Sequence, residues 1–476
     1  MSWDLAQRFY CRWSFFFLAL FFKVKPAKAL RSSLIVGIGF VGIYAIFDIL
    51  TSNVGPAAQA MVERTGISLP VVDLGWPPLA AITWGSPIAP FVIPLTMLIN
   101  VAMLALNKTR TVDVDMWNYW HFALAGTLVY YSTGSFVLGL SAAAIAAIVV
   151  LKLADWSAPL VAKYFGLEGI SLPTLSSVVF FPIGLLFDKI IDKIPGVNRI
   201  HIDPENVQKK MGIFGEPMMV GTILGVLLGI IAGYDFKHIL LLGISIGGVM
   251  FILPRMVRIL MEGLLPLSEA IKKYLNAKYP GRDDLFIGLD IAVAVGNPAI
   301  ISTALILTPI SVFIAFLLPG NKVLPLGDLA NLAVMASMIV LACRGNIFRA
   351  VITAIPVIVA DLWIATKIAP FITGMAKDVN FKMAEGSSGQ VSSFLDGGNP
   401  FRFWLLEIFN GNIIAIGLIP VLALIIYGVF SPDKRNGLCL ITTQRLSLTL
   451  AQLTAKSAVI PVMTCQFWKS ASFRRQ

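Results

Sequence analysis

The feature that most constrains this chain is a series of long apolar runs separated by short polar segments. Ten of them reach or approach the roughly 20 residues that a helix needs to cross ~30 Å of hydrocarbon. With 57% hydrophobic and only 13% charged residues, the chain is too apolar for a water-soluble protein. The sequence therefore predicts an all-α, polytopic membrane protein. The runs lie at 34–50, 87–106, 117–131, 134–151, 216–234, 238–253, 299–318, 329–343, 349–366 and 403–430.

The positive charge lies at the two ends of the chain and predicts a topology. Residues 1–31 and the tail that begins at Asp433 together account for the net charge of +11. No nucleic-acid-binding motif accompanies this charge. Cytoplasmic loops collect Lys and Arg, so we expect the basic stretch at 23–31 and the C-terminal tail to lie in the cytoplasm. If the short apolar stretch before residue 23 crosses the membrane, the N-terminus lies outside. With the short apolar stretch at 12–23 counted as a first helix, we predict about 11 transmembrane helices.

One further apolar stretch, "ISLPTLSSVVFFPIG" at 170–184, contains a proline and a cluster of hydroxyls near its start. An odd number of spans requires that this stretch does not cross the membrane. We interpret it as a re-entrant segment, which a membrane tolerates only where protein or water satisfies its backbone. An ordinary twelfth span is the alternative. The amphipathic stretch "DKIIDKIPGVNRI" either lies along the membrane surface or forms part of a protein dock.

The two halves of the chain present the same motifs in the same order. An apolar helix is followed by an amphipathic segment, an isolated Asp, a Gly-Ser-Pro or Gly-Asn-Pro turn, a helix with an internal proline and a further Asp. The acids of this pattern are Asp73 and Asp115 in the first half and Asp290 and Asp328 in the second. A chance resemblance between membrane sequences is the alternative to a true repeat.

The predicted repeats are inverted, because the runs at 34–50 and 238–253 are five spans apart and cross in opposite directions. Inverted repeats with interrupted helices are common in transporters, whose substrate sites lie near the midplane at the breaks. We expect the basic tail to be disordered. The predicted boundaries are 1–31 for the basic N-terminal segment, 32–430 for the membrane domain, about 32–151 and 238–366 for the repeats, 152–215 for the linking re-entrant segment, 403–430 for the last helix and 431–476 for the tail.

Three acids lie beside the Gly and Pro residues that interrupt helices: Glu216, Asp73 and Asp290. A carboxylate at membrane depth costs ~2.5–3.5 kcal/mol and is retained where it faces a cavity or a partner. Carboxylates accept hydrogen bonds from hydroxyl groups, and the Asn297 amide and Ser86 hydroxyl would complete a set that binds a polyol. The alternative is that each acid only caps the helix that follows it.

Aromatic and polar side chains cluster at the start of the run at 117–131. Asn118 and His121 lie on one side of the predicted helix, three residues apart, and are candidates to bind substrate hydroxyls. Trp117 and Trp120 flank them, and tryptophan at a membrane interface usually serves as an anchor. The roles of Asn118 and His121 stay open between a substrate site and the protein interior.

The sequence contains no recognisable catalytic or metal-binding motif. Its four cysteines show no CxxC pair and no metal-ligand spacing with the three histidines. It also lacks a phosphate-binding loop, a dinucleotide fingerprint and a Ser/His/Asp set. We therefore expect no metal or cofactor and no phosphorylated residue in this chain.

A set of motifs between about residues 27 and 430 resembles one protein family. They look like those of the membrane-embedded IIC component of the galactitol branch of the bacterial phosphoenolpyruvate-dependent phosphotransferase system. The motifs are "VGIGFVG", "VDVDMWNYWH", "GLEGISLP", "KIPGVNRI", "FGEP", "GIIAGYD", "IGLD", "LPGNKVLPLGDL" and "RGNIFR".

The resemblance implies a homodimeric permease of the bacterial inner membrane, related to the ascorbate carriers, with a core domain that moves against a scaffold domain. A polyol would enter from outside and leave inside as its phosphate. A separate IIB protein, charged through IIA, would supply the phosphoryl group from a cysteine, and membrane lipid would surround the permease. We hypothesise that Asp290 accepts the proton of the reacting hydroxyl and that Glu216 holds the substrate.

Two positions depart from the family pattern. Thr174 stands where relatives usually have histidine, and Asn297 stands where a histidine commonly follows glycine. Both positions are candidate substrate contacts, so the preferred polyol can differ from galactitol. The main alternative function is an ion-coupled symporter of polyols, in which Asp290 or Glu216 binds H⁺ or Na⁺. A passive channel is disfavoured because the polar residues concentrate at helix breaks.

Overall fold

The structure is a computed structural model that describes most of the chain between Pro26 and Pro420. The predicted disordered tail and most of the predicted first helix at 12–23 lie outside the described residues. The described residues are 16, 19–20, 23–64, 66, 69–113, 115, 117–205, 209, 212–278, 285–381 and 389–420.

Helices make up most of the described chain, as the apolar runs predict. Pro26, Pro217, Pro298 and Pro400 each open a helix, where the missing N–H of proline costs no hydrogen bond. The helices are α1 (Pro26–Glu63), α2 (Trp76–Trp84), α3 (Ala89–Ala105), α4 (Trp117–Thr133), α5 (Phe136–Leu160), α6 (Leu175–Val178), α7 (Phe180–Ile191), α8 (Pro217–Ala232), α9 (Phe236–Lys278), α10 (Ala292–Val295), α11 (Pro298–Leu317), α12 (Leu332–Ala342), α13 (Ile347–Asp378), α14 (Pro400–Phe409) and α15 (Ile413–Pro420).

Among the described residues, five helices are long and apolar enough to cross a membrane. Two bent pairs, α2 with α3 at 93° and α14 with α15 at 116°, raise the number to seven if each pair is one broken span. The predicted number of about 11 is therefore not confirmed. Two of the predicted spans correspond to α8 and α12, whose 16 and 11 residues are fewer than a full crossing needs. The five are Pro26–Glu63, Phe136–Phe165, Phe236–Leu264, Pro298–Leu317 and Ile347–Asp378.

Two small parallel sheets join the two halves of the sequence. In one sheet β1 pairs with both β5 and β6, and in the other β4 pairs with both β2 and β3. The central strand of each sheet thus comes from one half of the chain, and its two neighbours come from the other half. The strands are β1 (Val71–Asp73), β2 (Thr111–Asp113), β3 (Ile170–Ser171), β4 (Phe286–Gly288), β5 (Val323–Leu324) and β6 (Gln390–Ser392).

The order of elements is also the same in both halves. The first half runs α1, β1, α2, α3, β2, α4, α5, β3, and the second runs α9, β4, α10, α11, β5, α12, α13, β6. A break follows the central strand each time, at Gly85-Ser86-Pro87 between α2 and α3 and at Gly296-Asn297-Pro298 between α10 and α11. Parallel strands end at the same edge of a sheet, so the acids that follow the strands are brought together.

The segment at 170–184 folds into short pieces rather than one long helix. It contains β3, α6 and the first residues of α7, and it is not among the described candidate spans. Leu172, Leu175, Val178 and Phe180 are buried with at most 1% of their surface exposed. The segment lies inside the protein, where neighbouring chain satisfies its backbone.

Candidate functional site

The first polar cluster lies where β1, β5 and β6 end. Asp73 accepts backbone N–H groups from Gly75 (3.1 Å) and Phe394 (3.0 Å) through Oδ1 and from Asp328 (3.0 Å) through Oδ2. Asp328 in turn accepts the backbone N–H of Trp76 at 2.9 Å. Both carboxylates are buried and are engaged by the loops of the other half of the chain. They hold these loops together.

The second cluster lies where β2, β3 and β4 end, and it contains three predicted site residues. Asp290 Oδ1 accepts the backbone N–H of Ala292 at 2.9 Å, and Asp290 N–H donates to Asp115 Oδ2 at 3.0 Å. The Thr174 hydroxyl lies 3.3 Å from Asp290 Oδ2 and 2.9 Å from Asn118 Oδ1. The structure therefore brings Asp290, Thr174 and Asn118 into one hydrogen-bonded network.

A cavity lies beside this network; its empty space, together with the open solvent at its mouth, amounts to about 650 Å³. Its wall combines tryptophan rings with carboxylate, imidazole, hydroxyl and amide groups, and His121, Thr174 and Asp290 are part of it. The lining residues are Ile43, Trp76, Trp117, Trp120, His121, Thr174, Leu253, Asp290, Ile291, Ala292, Val295, Asn331, Val334 and Asp396.

Asp290 is the carboxyl group at the cavity whose protonation is most easily changed. It lies in the turn between β4 and α10, outside the candidate spans. Burial away from water, together with the negative charge of Asp115, raises the pKa of Asp290 from 3.8 to about 7. Near neutral pH this group can therefore either hold a proton or accept one.

Two lining residues, His121 and Asp396, belong to a charged network around Arg402. Arg402 Nη1 donates to Asp396 Oδ1 at 3.0 Å, and Nη2 donates to Ser176 Oγ at 3.1 Å and to His121 Nδ1 at 2.9 Å. Ser176 Oγ also donates to Asp396 Oδ1. Because Nδ1 of His121 accepts from a guanidinium, we assign the imidazole proton to Nε2.

Five predicted site residues are not among the described residues that line this cavity. One of them, Asn118, adjoins it through its hydrogen bond with Thr174. The Ser86 hydroxyl lies 2.9 Å from Thr127 Oγ1, and Asn297 Oδ1 accepts the backbone N–H of Ala299 at 2.9 Å. Glu216 occupies the N-cap position of α8 without a side-chain capping bond, and Asp73 belongs to the first cluster. Their contact with substrate stays a prediction.

Sequence reasoning missed Asp396, Arg402 and Ser176, as well as the place of Trp76 in the wall. A signal was present, because "DGGNPF" repeats the glycine, asparagine and proline pattern of the other helix breaks directly after an acid. Arg402 and His121 are 281 residues apart, so no spacing within the sequence connects them.

Comparisons with known proteins agree with the sequence motifs. A family model described as the sugar-specific permease component of the phosphotransferase system matches residues 14–386. The galactitol-specific EIIC component of Escherichia coli strain K12 is 40% identical over 412 residues, which cover 87% of this chain and 90% of that protein. The counterpart from Escherichia coli O157:H7 gives the same values.

A third relative, a putative permease IIC component of Escherichia coli strain K12, is 38% identical over 406 residues, or 84% of this chain and 92% of that protein. The matched region contains most of the long apolar helices described above. A polyol substrate and IIA and IIB partners are properties of the family. The chain is therefore a multi-pass inner-membrane protein that belongs to the sugar-specific permease (EIIC-GAT) family of the bacterial phosphotransferase system.

Proposed function

We propose that this permease takes up galactitol or a closely related polyol and releases it in the cytoplasm as a phosphate ester, with a separate IIB protein as phosphoryl donor. The observation that carries the proposal is the cavity at the strand ends, where Asp290, Thr174, His121 and Asp396 face one space. The galactitol-specific relatives, at 40% identity, support the choice of polyol.

The chemistry of the cavity wall suits a polyol. Each hydroxyl of a polyol both donates and accepts, so it needs acceptors and donors within reach. Asp290 and Asp396 supply acceptors, and His121 and Asn331 supply groups that can donate. Trp76 and Trp117 pack edge to face at 5.9 Å and offer an apolar surface to the carbon chain.

Phosphoryl transfer at this site needs one proton acceptor from the permease. In the proposed step the polyol oxygen forms a bond to phosphorus while the bond between sulfur and phosphorus in phospho-IIB breaks and leaves a thiolate. The hydroxyl proton passes to the carboxylate of Asp290. Such reactions depend mainly on positioning and charge stabilisation, which fits the prediction that the permease has no phosphorylated residue of its own.

The repeated order of elements supports two inverted repeats, with 170–184 as a re-entrant segment. We place the N-terminus outside and the C-terminus in the cytoplasm on the basis of the basic residues at 23–31 and beyond 433. The proposed assembly is a homodimer in lipid. The chain between 32 and 430 forms the transport domain in this proposal.

One assay tests the proposed reaction. Right-side-out vesicles are loaded with phosphoenolpyruvate and the soluble phosphotransferase proteins, and galactitol phosphate is measured with and without an ionophore. We expect ester formation that the ionophore does not change. In Asp290→Asn we expect ester formation to fall about 100-fold or more at unchanged protein level. Wild-type uptake by this variant would contradict the role of Asp290.

An ion-coupled polyol symporter is the second candidate, because no Lys or Arg is a hydrogen-bond partner of Asp290 or Asp115 among the described contacts. A carboxylate without a fixed cation is available to bind H⁺ or Na⁺. In the same vesicles a symporter would accumulate free polyol, and the ionophore would abolish that accumulation.

A further inference from the structure

Asp396 presents one unused acceptor to the cavity. The residues that engage it, Ser176 and Arg402, all bond to Oδ1, and Oδ2 has no hydrogen bond from any described residue. Asp396 nevertheless lines the cavity. An ionised carboxylate has about four lone-pair sites, so the Oδ2 side of the group is free to bind a ligand hydroxyl.

The charge of Asp396 is fixed by a cation that is itself fully enclosed. The Arg402 side chain is 0% exposed and the Asp396 side chain is 1% exposed. A buried charge is tolerated only when it is paired and hydrogen-bonded, and Arg402 satisfies both requirements through Asp396 Oδ1 and the Asp396 carbonyl at 2.6 Å. Asp396 therefore stays an ionised acceptor with a fixed direction.

Arg402 also orients Ser176 and His121, of which His121 lines the cavity. Its second nitrogen reaches Ser176 Oγ and His121 Nδ1, and its guanidinium lies 6.0 Å from the Trp120 ring centroid. The planar fork of an arginine can hold several acceptors at once, which a lysine ammonium cannot reproduce. One residue thus sets the geometry of Asp396 and His121, which both line the cavity.

The two carboxylates of the cavity therefore differ in a way that suggests separate tasks. Asp290 comes from the loop after β4 and is held by a backbone N–H and a hydroxyl, whereas Asp396 comes from the loop after β6 and is held by a guanidinium. A carboxylate locked to a cation is a poor proton acceptor but a good anchor. A carboxylate without a cation is the better proton acceptor.

We propose that Asp396 binds a hydroxyl of the polyol through Oδ2, at a position that does not react, and that Arg402 is the positioning residue for this contact. The inference rests on the proposed function and assigns the second anchor of its substrate site. It predicts that the permease recognises one particular hydroxyl of the polyol through a hydrogen bond to Asp396.

The test compares Asp396→Asn with wild type on galactitol and on the series of monodeoxy galactitols in the vesicle assay. A hydrogen bond to a charged group contributes about 1.5–3 kcal/mol, so we expect the KM for galactitol to rise about 10- to 100-fold. One deoxy analogue, which lacks the hydroxyl in question, should show the same KM for wild type and variant. Asp361→Asn is the matched control, because Asp361 is a fully buried acid outside the cavity lining, and we expect wild-type kinetics from it.

A KM that stays at the wild-type value in Asp396→Asn, or that rises equally for every analogue, would overturn the inference. Absence of ester formation by the wild-type protein would instead overturn the proposed function. If Asp396→Asn does not reach the membrane, Ser176→Ala removes one donor to Oδ1 and gives the same reading. Ser176→Ala should raise the KM for galactitol severalfold and leave unchanged the KM for the deoxy analogue that lacks the hydroxyl bound by Asp396. An equal rise in KM for every analogue would count against the inference.

The role of Arg402 has its own readout. Arg402→Lys keeps the positive charge but loses the fork, so we expect a raised KM for galactitol with a kcat closer to wild type. Arg402→Gln removes the charge as well and should lose more. If kcat falls as much as KM rises in both variants, and does so on all analogues, Arg402 only supports the fold.

Discussion

The buried carboxylates of this protein differ in what they bond to, and that difference separates support from function. Asp73 accepts the backbone N–H groups of Asp328 and Phe394, and Asp328 accepts that of Trp76, so each carboxylate bonds to loops from the other half of the chain. Asp290 and Asp396 line the cavity and keep capacity for a ligand. The number of backbone donors on each carboxylate is therefore a guide to its task.

Asp73→Asn distinguishes a structural role from the predicted contact with substrate. The amide replaces one acceptor oxygen by a donor that faces a backbone N–H, which costs about 1–3 kcal/mol. We expect a lower melting temperature in detergent and an unchanged KM for galactitol. A raised KM with normal melting would instead support the predicted substrate contact.

The pH dependence of uptake should report the titration of Asp290. The pKa of Asp290 is raised to about 7, so its acceptor form is the minor species below pH 7 and the major species above it. We expect the rate of ester formation to rise with pH through about 7. The free energy of unfolding should change in the opposite direction to the rate. A carboxyl group whose pKa is raised in the folded state stabilises the protein less as pH rises from about 4 to 7. Asp290→Asn should remove the titration near pH 7 from the residual rate.

At the scale of elements, the loops that follow the strands depend on a close approach of two glycines. Gly75 has φ +71°, and a Cβ at this position would lie 2.5 Å from the Gly327 carbonyl oxygen. Gly327 precedes Asp328, so this contact brings the loops after β1 and β5 together. A side chain at Gly75 would push these loops apart.

Comparing Gly75→Ala with Gly134→Ala tests how much the conformation and close contact of Gly75 contribute. Both glycines have positive φ, +71° and +70°, but a Cβ at Gly134 would meet nothing within 4 Å. Gly75 also has ψ 177°, a backbone conformation that essentially only glycine adopts. Gly75→Ala therefore adds backbone strain to an overpacking cost of about 1–3 kcal/mol. We expect a lower melting temperature for Gly75→Ala, and equal melting of the two variants would contradict the close approach.

The sequence predicted helix breaks better than it predicted spans. Asp290 is predicted because a carboxylate at a helix break in a membrane is costly unless it has a partner or a cavity. Asn118 is predicted from the helix side that it shares with His121, and Thr174 from its departure from the family pattern. Asp396 and Arg402 escaped because their partners His121 and Ser176 lie more than 200 residues away. The number of spans could not be fixed, because α8 and α12 are apolar yet short, and apolarity does not separate a crossing helix from a buried one.

At the scale of the whole molecule, the two halves of the chain complete each other. Strand β1 has only β5 and β6 as neighbours, and β4 has only β2 and β3 among the described residues. Neither half can form a complete sheet alone. The cavity has the same property, since Thr174 and His121 come from the first half and Asp290 and Asp396 from the second.

A chain divided between α7 and α8 tests this interdependence. Each half expressed alone would leave the edges of its central strand unpaired and bury acids such as Asp73 without their donors, so we expect degradation or aggregation. Coexpressed halves should pair through both sheets, copurify, and restore ester formation to within about tenfold of the intact chain, since only the entropy of one connection is lost. Stable accumulation of either half alone, with the melting behaviour of a folded protein, would show that the exchanged strands are not what holds the halves together.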